Sequence, residues 1–164
     1  MLLLLVRHAH AGDHDPTRWP DDRDRPLTDK GRKTHRRVSR LLDRLGHIPS
    51  LVLTSPWLRA AQTAQILVET LELERAPVPC EALAADPDLG QLAECVGDQG
   101  PDAIVAMVGH SPWMEELAAL LLAGSVSGLR IAFPKSGVMG IDLDRVEAGA
   151  GELRFFLRPS MAEK

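Results

Sequence analysis

Cysteine is scarce in this 164-residue chain: Cys80 and Cys95 are the only two, they lie far apart, and they form no CxxC pair. That scarcity argues against a structural zinc site or a disulfide framework, and it suits a reducing compartment. Long apolar runs are missing as well. The opening MLLLLV has no basic region before it, is cut off by Arg7 and offers no small-residue cleavage site, so it reads as a buried first strand rather than a targeting segment. No other segment approaches a membrane span, which excludes a membrane partner at this level. An excess of one charge is also absent, since the net charge is −4, and nothing in the overall balance marks a nucleic-acid binder. Repeats, linkers and low-complexity segments are not found. What is left is one cytoplasmic globular domain spanning residues 1–164, with an ordinary apolar fraction of 45%.

Within those bounds, short apolar runs alternate with helical patterns, the signature of an α/β fold. Leu2–Val6, Leu51–Thr54 and Ala103–Val108 read as buried strands, and Gly137–Leu143 and Glu152–Leu157 as the last two, joined by a turn at Gly149–Gly151. Helical spacing appears at Val38, Leu41, Leu42 and Leu45, with Gly46 as a stop, and again at Leu58, Ala61, Ala64, Val68 and Leu71. A weaker helix carries Leu89, Leu92 and Val96, and another runs from Glu115 through Leu122 to Gly124. Ser55-Pro56 and Ser111-Pro112 are expected to supply an N-cap and a first-turn proline to their helices. Ala11–Pro26, rich in proline and aspartate, is expected to be a loop crossing the end of the first strand. The expected architecture is a three-layer α/β/α domain with a mostly parallel central sheet and helices on both faces.

In such a sheet the strand C-termini share one edge, and ligands bind in the crevice there. Leu2–Val6 delivers Arg7 and His8 to that edge, Arg59 follows the second strand, and His110 follows Ala103–Val108. Two guanidiniums and a helix N-terminus make a site for a doubly charged oxyanion such as phosphate. A neutral imidazole there can attack phosphorus, and neighbouring arginines disfavour its protonation. A second histidine can hydrogen-bond the phosphoryl oxygens and, when protonated, stabilise charge in the transition state. Phosphoryl transfer is mostly positioning and electrostatics, so enough cationic side chains remove the need for a metal or other cofactor.

The chain at this point resembles the histidine phosphatase (phosphoglycerate-mutase-like) superfamily, and within it the short bacterial branch that contains the phosphohistidine phosphatases. The residues that carry the resemblance are VRHAHA at Val6–Ala11, RPLTDKG at Arg25–Gly31, TSPWLRAAQTA at Thr54–Ala64 and VGHSP at Val108–Pro112, in that order. The resemblance implies that His8 is the nucleophile and is phosphorylated during turnover. It implies that Arg7 and Arg59 bind the phosphoryl oxygens and that His110 is the second histidine. Many relatives have glycine where this chain has Ala9, and larger members carry a glutamate that protonates the leaving oxygen. Here the acids after the second helix are Glu81, Asp86 and Asp88, none in a matching motif. The P–N bond of a phosphoramidate, whose imidazole leaving group can be protonated beforehand, breaks more readily without a strong acid than the P–O bond of an ester does, so the expected substrate is phosphohistidine on a protein, such as a phosphotransfer domain. A small phosphate ester is the alternative.

Other readings stand beside this one. A metallohydrolase built on His8, His10 and His14 is conceivable, but Ala11 and Gly12 both separate His10 from Asp13, which breaks the HxHxDH register. A non-catalytic phosphoprotein-binding module would be expected to lose one of Arg7, His8, Arg59 and His110, and all four are present. The basic run Lys30–Arg40 reads as the solvated face of an amphipathic helix rather than a docking site, and Arg25 and Asp24 read as loop residues. Trp57 and Trp113, each following a Ser-Pro, are expected to form an apolar border to the pocket together with Trp19.

Overall fold

A computed structural model of the protein describes residues 1–162. Six strands form one sheet: β1 (Leu2–Arg7), β2 (Leu51–Thr54), β3 (Val78–Pro79), β4 (Ile104–Gly109), β5 (Val138–Asp142) and β6 (Glu152–Leu157), in spatial order β3-β2-β4-β1-β5-β6. The β3–β2, β2–β4 and β4–β1 pairings are parallel, and β5 is antiparallel to both β1 and β6. Five strands therefore point one way and only β5 opposes them.

The central strands are apolar on both sides because both sides are covered. Leu3 and Leu5 of β1, with Val105 and Met107 of β4, face the helices α3 (Leu89–Val96) and α4 (Trp113–Ala123). Leu4, Val6, Ala106 and Val108 face α1 (Asp29–Arg44) and α2 (Leu58–Thr70). The three-layer expectation is met, with one helix pair on each face.

Helix α1 begins at Thr28, whose hydroxyl accepts the Gly31 N–H at 3.1 Å. Gly31 has to be glycine: a Cβ there would lie 2.1 Å from the His10 carbonyl oxygen, so α1 rests directly on the backbone after β1. Lys30, Lys33, Arg36, Arg37 and Arg40 are exposed, as a solvated basic face requires. His35 lies on the opposite face, wholly buried with neither ring nitrogen hydrogen-bonded, and burial holds its pKa down to about 4.

Three expectations need correction. First, neither serine caps its helix. α2 starts at Leu58 and α4 at Trp113, with Trp57 and Pro112 in the cap positions, and the Ser55 and Ser111 hydroxyls bond elsewhere. Second, β3 is a short strand beyond the five expected. Pro79 is tolerated there because β3 is the sheet edge. Third, Cys80 and Cys95 form a disulfide, with their Cα atoms 6.4 Å apart. β3 delivers Cys80 to the start of a short 3-10 turn (Glu81–Ala84), and α3 packs back over it, a juxtaposition that sequence spacing does not reveal. The cysteines consequently lend no support to a reducing compartment. No helix among the described residues is long and apolar enough to cross a membrane.

Candidate active site

Strand register explains why distant residues meet. Arg7 pairs with Gly109 and Thr54 with Val108, so β1, β4 and β2 end level with one another. The next residues, His8, His110 and Ser55, emerge side by side. The His8 and His110 rings lie 5.2 Å apart between centroids, tilted by 53°. Both are almost fully buried, at 6% and 2% exposure.

Hydrogen-bond accounting assigns each ring its tautomer. His8 Nδ1 lies 2.7 Å from the Ala9 carbonyl oxygen, which can only accept, so Nδ1 carries the proton and the Nε2 lone pair is free. Ala9 is itself fixed: its N–H donates to Thr63 Oγ1 at 3.0 Å, and that hydroxyl donates to the Arg59 carbonyl at 2.6 Å. Thr63 thus ties the His8 backbone to α2. His110 Nε2 lies 2.7 Å from Ser55 Oγ, which also accepts the Trp57 N–H at 3.2 Å. The Ser55 hydroxyl proton has His110 Nε2 as its one acceptor among the described residues, so Ser55 donates to Nε2. His110 then carries its proton on Nδ1, a buried atom with no protein partner.

Burial, more than charge, keeps both rings neutral. It lowers the His8 pKa to about 3, with Arg59, Arg7 and Lys135 adding to the effect and the Ala9 hydrogen bond opposing it. The arginine field expected from sequence is present but is secondary. Burial likewise brings His110 to about 3, helped by His8 and Arg59. In the free site His110 is therefore a neutral Nδ1–H donor.

The two arginines flank the histidines and are held from behind. Arg7 donates from NH1 to the Phe133 carbonyl at 2.6 Å. Arg59 donates from NH1 to the Asp22 carbonyl at 2.7 Å and pairs through NH2 with the Asp22 carboxylate at 3.1 Å. Its guanidinium also lies over the Trp57 ring, 4.8 Å from the centroid. In both arginines Nε is buried and without a partner. Two guanidinium N–H donors and the His110 Nδ1–H thus stand unsatisfied around a neutral imidazole, a donor set that suits a tetrahedral oxyanion.

Asp22 had no signal in the sequence beyond its place in an acidic loop. It accepts from Arg25 at 2.8 Å, pairs with Arg59, and lies 2.9 Å from His14 Nδ1. Burial would raise its pKa, yet these hydrogen bonds and the charges of Arg59 and Arg25 hold the carboxyl well below the usual range. Arg25 also donates to the Gly12 carbonyl at 2.7 Å, so it pins the first loop, as a loop residue should, while Asp24 is exposed.

His10 and His14 do not join the inner pair. His10 Nδ1 accepts from Gly12 N–H and meets Thr28 Oγ1 at 3.0 Å. His14 is exposed and bonded to Asp22. Among the described residues no three His, Cys, Asp or Glu side chains gather as a metal-binding group.

The tryptophans divide similarly. Trp57 and Trp113 lie 4.6 and 5.9 Å from the His110 ring and 5.7 Å from each other, forming an apolar border beside it. Trp19 packs instead under Arg18 in the first loop and makes no ring contact with them. The border has two tryptophans, not three.

The candidate acids line a groove of about 570 Å3 beyond Trp57. Asp86 accepts the Trp113 indole N–H at 3.0 Å, and Asp88 caps α3 by accepting from Gln91 N–H at 3.0 Å. Glu81 is exposed at the groove wall. A carboxylate not anticipated from sequence, Glu115, accepts from Ser111 Oγ at 2.7 Å, acts on Arg7 through its charge and has its other oxygen buried without a partner.

Known proteins match the chain in sequence and in fold. The model of the histidine phosphatase superfamily (branch 1) matches residues 3–94, and the chain belongs to that superfamily. An uncharacterized protein of Picosynechococcus sp. is 36% identical over 143 residues, covering 86% of this chain and 84% of that one. The structure of the protein histidine phosphatase SixA complexed with tungstate superposes with a TM-score of 0.82 at 24% identity, over 99% of this chain and 100% of the other. A putative phosphohistidine phosphatase SixA from Agrobacterium tumefaciens gives 0.74 at 25% identity, over 96% and 97%. The protein is accordingly a hydrolase of the histidine-nucleophile type, acting on phosphorylated substrates.

Proposed function

We propose that the protein is a metal-independent phosphatase that removes the phosphoryl group from phosphohistidine on another protein, by way of a phosphohistidine intermediate on His8. The observation that carries this reading is the free Nε2 of a buried, neutral His8 facing a ring of unsatisfied donors from Arg7, Arg59 and His110. In the first step the Nε2 lone pair attacks phosphorus, a new N–P bond forms, and the substrate P–N bond breaks as the imidazole departs with a proton. In the second step water attacks the His8 phosphoryl group, releasing inorganic phosphate and restoring Nε2. Arg7 and Arg59 bind the phosphoryl oxygens throughout, and the His110 Nδ1–H donates to the charge that builds on them. No cofactor takes part in either step.

The choice of an N-linked substrate is supported by the acids. Asp86 and Asp88 are engaged in structural hydrogen bonds, and an alkoxide leaving group needs a proton that an imidazole can already carry. One observation favours a small phosphate ester as second reading: Glu81 is free of hydrogen bonds among the described residues and stands on the groove beside Trp57. The same proposal assigns the enzyme to the cytoplasm, where phosphotransfer proteins supply such substrates.

The test is an assay with a chelator present throughout, comparing a phosphohistidine protein with simple phosphate esters. The proposal expects turnover unaffected by the chelator and kcat/KM at least about tenfold higher on the phosphohistidine protein, a difference of about 1.4 kcal/mol in barrier. Equal or greater efficiency on the esters transfers the assignment to the second reading, and loss of activity to the chelator ends both.

A further inference from the structure

The turn FPKSG, residues 133–137, closes over the end of β1 just before β5. The Ser136 N–H donates to the carbonyls of Arg7 and His8 at 3.1 and 3.2 Å, and the Gly137 carbonyl accepts from Arg7 N–H at 3.2 Å. Phe133 adds the carbonyl that holds the Arg7 guanidinium. Ser136 adopts φ 61, a left-handed conformation unusual for a residue with a side chain, and its hydroxyl is buried with no partner. Strain of this kind persists where the surroundings over-determine it, and here they fix the position of the residue just before, Lys135.

Lys135 is half-buried and, among the described residues, forms no ion pair. The charges it meets are those of Arg7, Arg25 and Arg59, with Asp13 the one acid among them, and its own charge reaches His8 and His10. Four cations thus converge on the site, and among the described residues only Asp22 lies within ion-pairing distance of any of them. Repulsion among partly desolvated cations is costly unless an anion relieves it. We infer that Lys135 is a further binding residue of this site, a fourth cation that contacts the phosphoryl dianion alongside Arg7 and Arg59. The inference rests on the phosphate-site reading above. An ammonium on a flexible stem complements two fixed guanidinium forks, because it can follow the oxygens as the group moves.

The experiment measures binding of inorganic phosphate by calorimetry, and kinetics, for the parent, Lys135→Met and Lys135→Arg. A hydrogen bond to a charged group supports a loss of about tenfold or more in phosphate affinity for Lys135→Met, with KM raised by a similar factor and kcat changed less. Lys135→Arg keeps the charge and is expected within about threefold of the parent. Should Lys135→Met melt early, Lys135→Gln is judged by the same criterion. Phosphate affinity within twofold of the parent in a folded Lys135→Met overturns the inference while leaving the phosphatase reading intact. A parent that neither binds phosphate nor turns over overturns both.

Discussion

His8 and His110 differ from His10 and His14 in everything but residue type. The inner pair sits at the ends of two adjacent central strands, buried, each ring fixed by a single acceptor or donor. The outer pair lies on the first loop, one resting on Thr28 at the helix cap and one exposed on Asp22. All three N-terminal histidines fall within seven residues of sequence, so proximity along the chain carries no chemistry by itself. Strand register separates His8, which pairs with a partner 102 positions away, from His10, which does not.

Substitutions should break the comparison in graded fashion. After loss of the His8 nucleophile itself, the largest effect is expected at His110, where removing one donor to a developing oxyanion costs about 10²–10³ in kcat. His110→Ala against His14→Ala, assayed on the same phosphorylated substrate, sets the inner pair against the outer one. His14→Ala is expected to stay within twofold of the parent, and a comparable loss in both would erase the distinction. Ser55→Ala should come between them, at about tenfold, because it removes the hydroxyl that fixes the His110 tautomer. A rise in activity on adding this change would contradict the tautomer assignment.

Acid titration sharpens the same contrast through stability. His8, His110 and His35 have folded pKa values of about 3, 3 and 4, below the ordinary 6.5. Between those values the unfolded chain binds more protons, so stability is complete above pH 6.5 and is lost as pH falls toward 4 and then 3. At pH 5 each fully buried neutral histidine accounts for roughly 2 kcal/mol of that loss. Urea unfolding at pH 7 and pH 5 should show the decline in the parent and a smaller decline in His35→Leu. Flat stability across this range would contradict the neutral buried rings.

Much of the fold and the inner site could be read from the chain, since an apolar strand followed by a polar residue at its end is a local pattern. Leu2–Arg7 and Ile104–Gly109 carry that pattern, which puts Arg7, His8 and His110 at one sheet edge. What escaped depends on contacts between distant segments. Asp22 is one of several acids in a loop until Arg59 and Arg25 close on it, and Thr63 is an ordinary helix residue until Ala9 reaches it. Ser55 and Ser111 share a local sequence, but one faces His110 and the other Glu115, so neither performs the capping role that its sequence suggests. Cys80 and Cys95 approach because an edge strand and a helix fold back on each other, and Trp19 departs from the other tryptophans because the first loop carries it elsewhere.

The central claim, that His8 Nε2 takes the phosphoryl group, is tested most directly by trapping the enzyme during turnover of a radiolabelled phosphorylated protein and mapping the label. The account predicts an acid-labile, base-stable phosphoryl group on His8 that is absent from His8→Asn, with turnover lost in the same variant. Label on any other residue, or sustained turnover by His8→Asn, would contradict it.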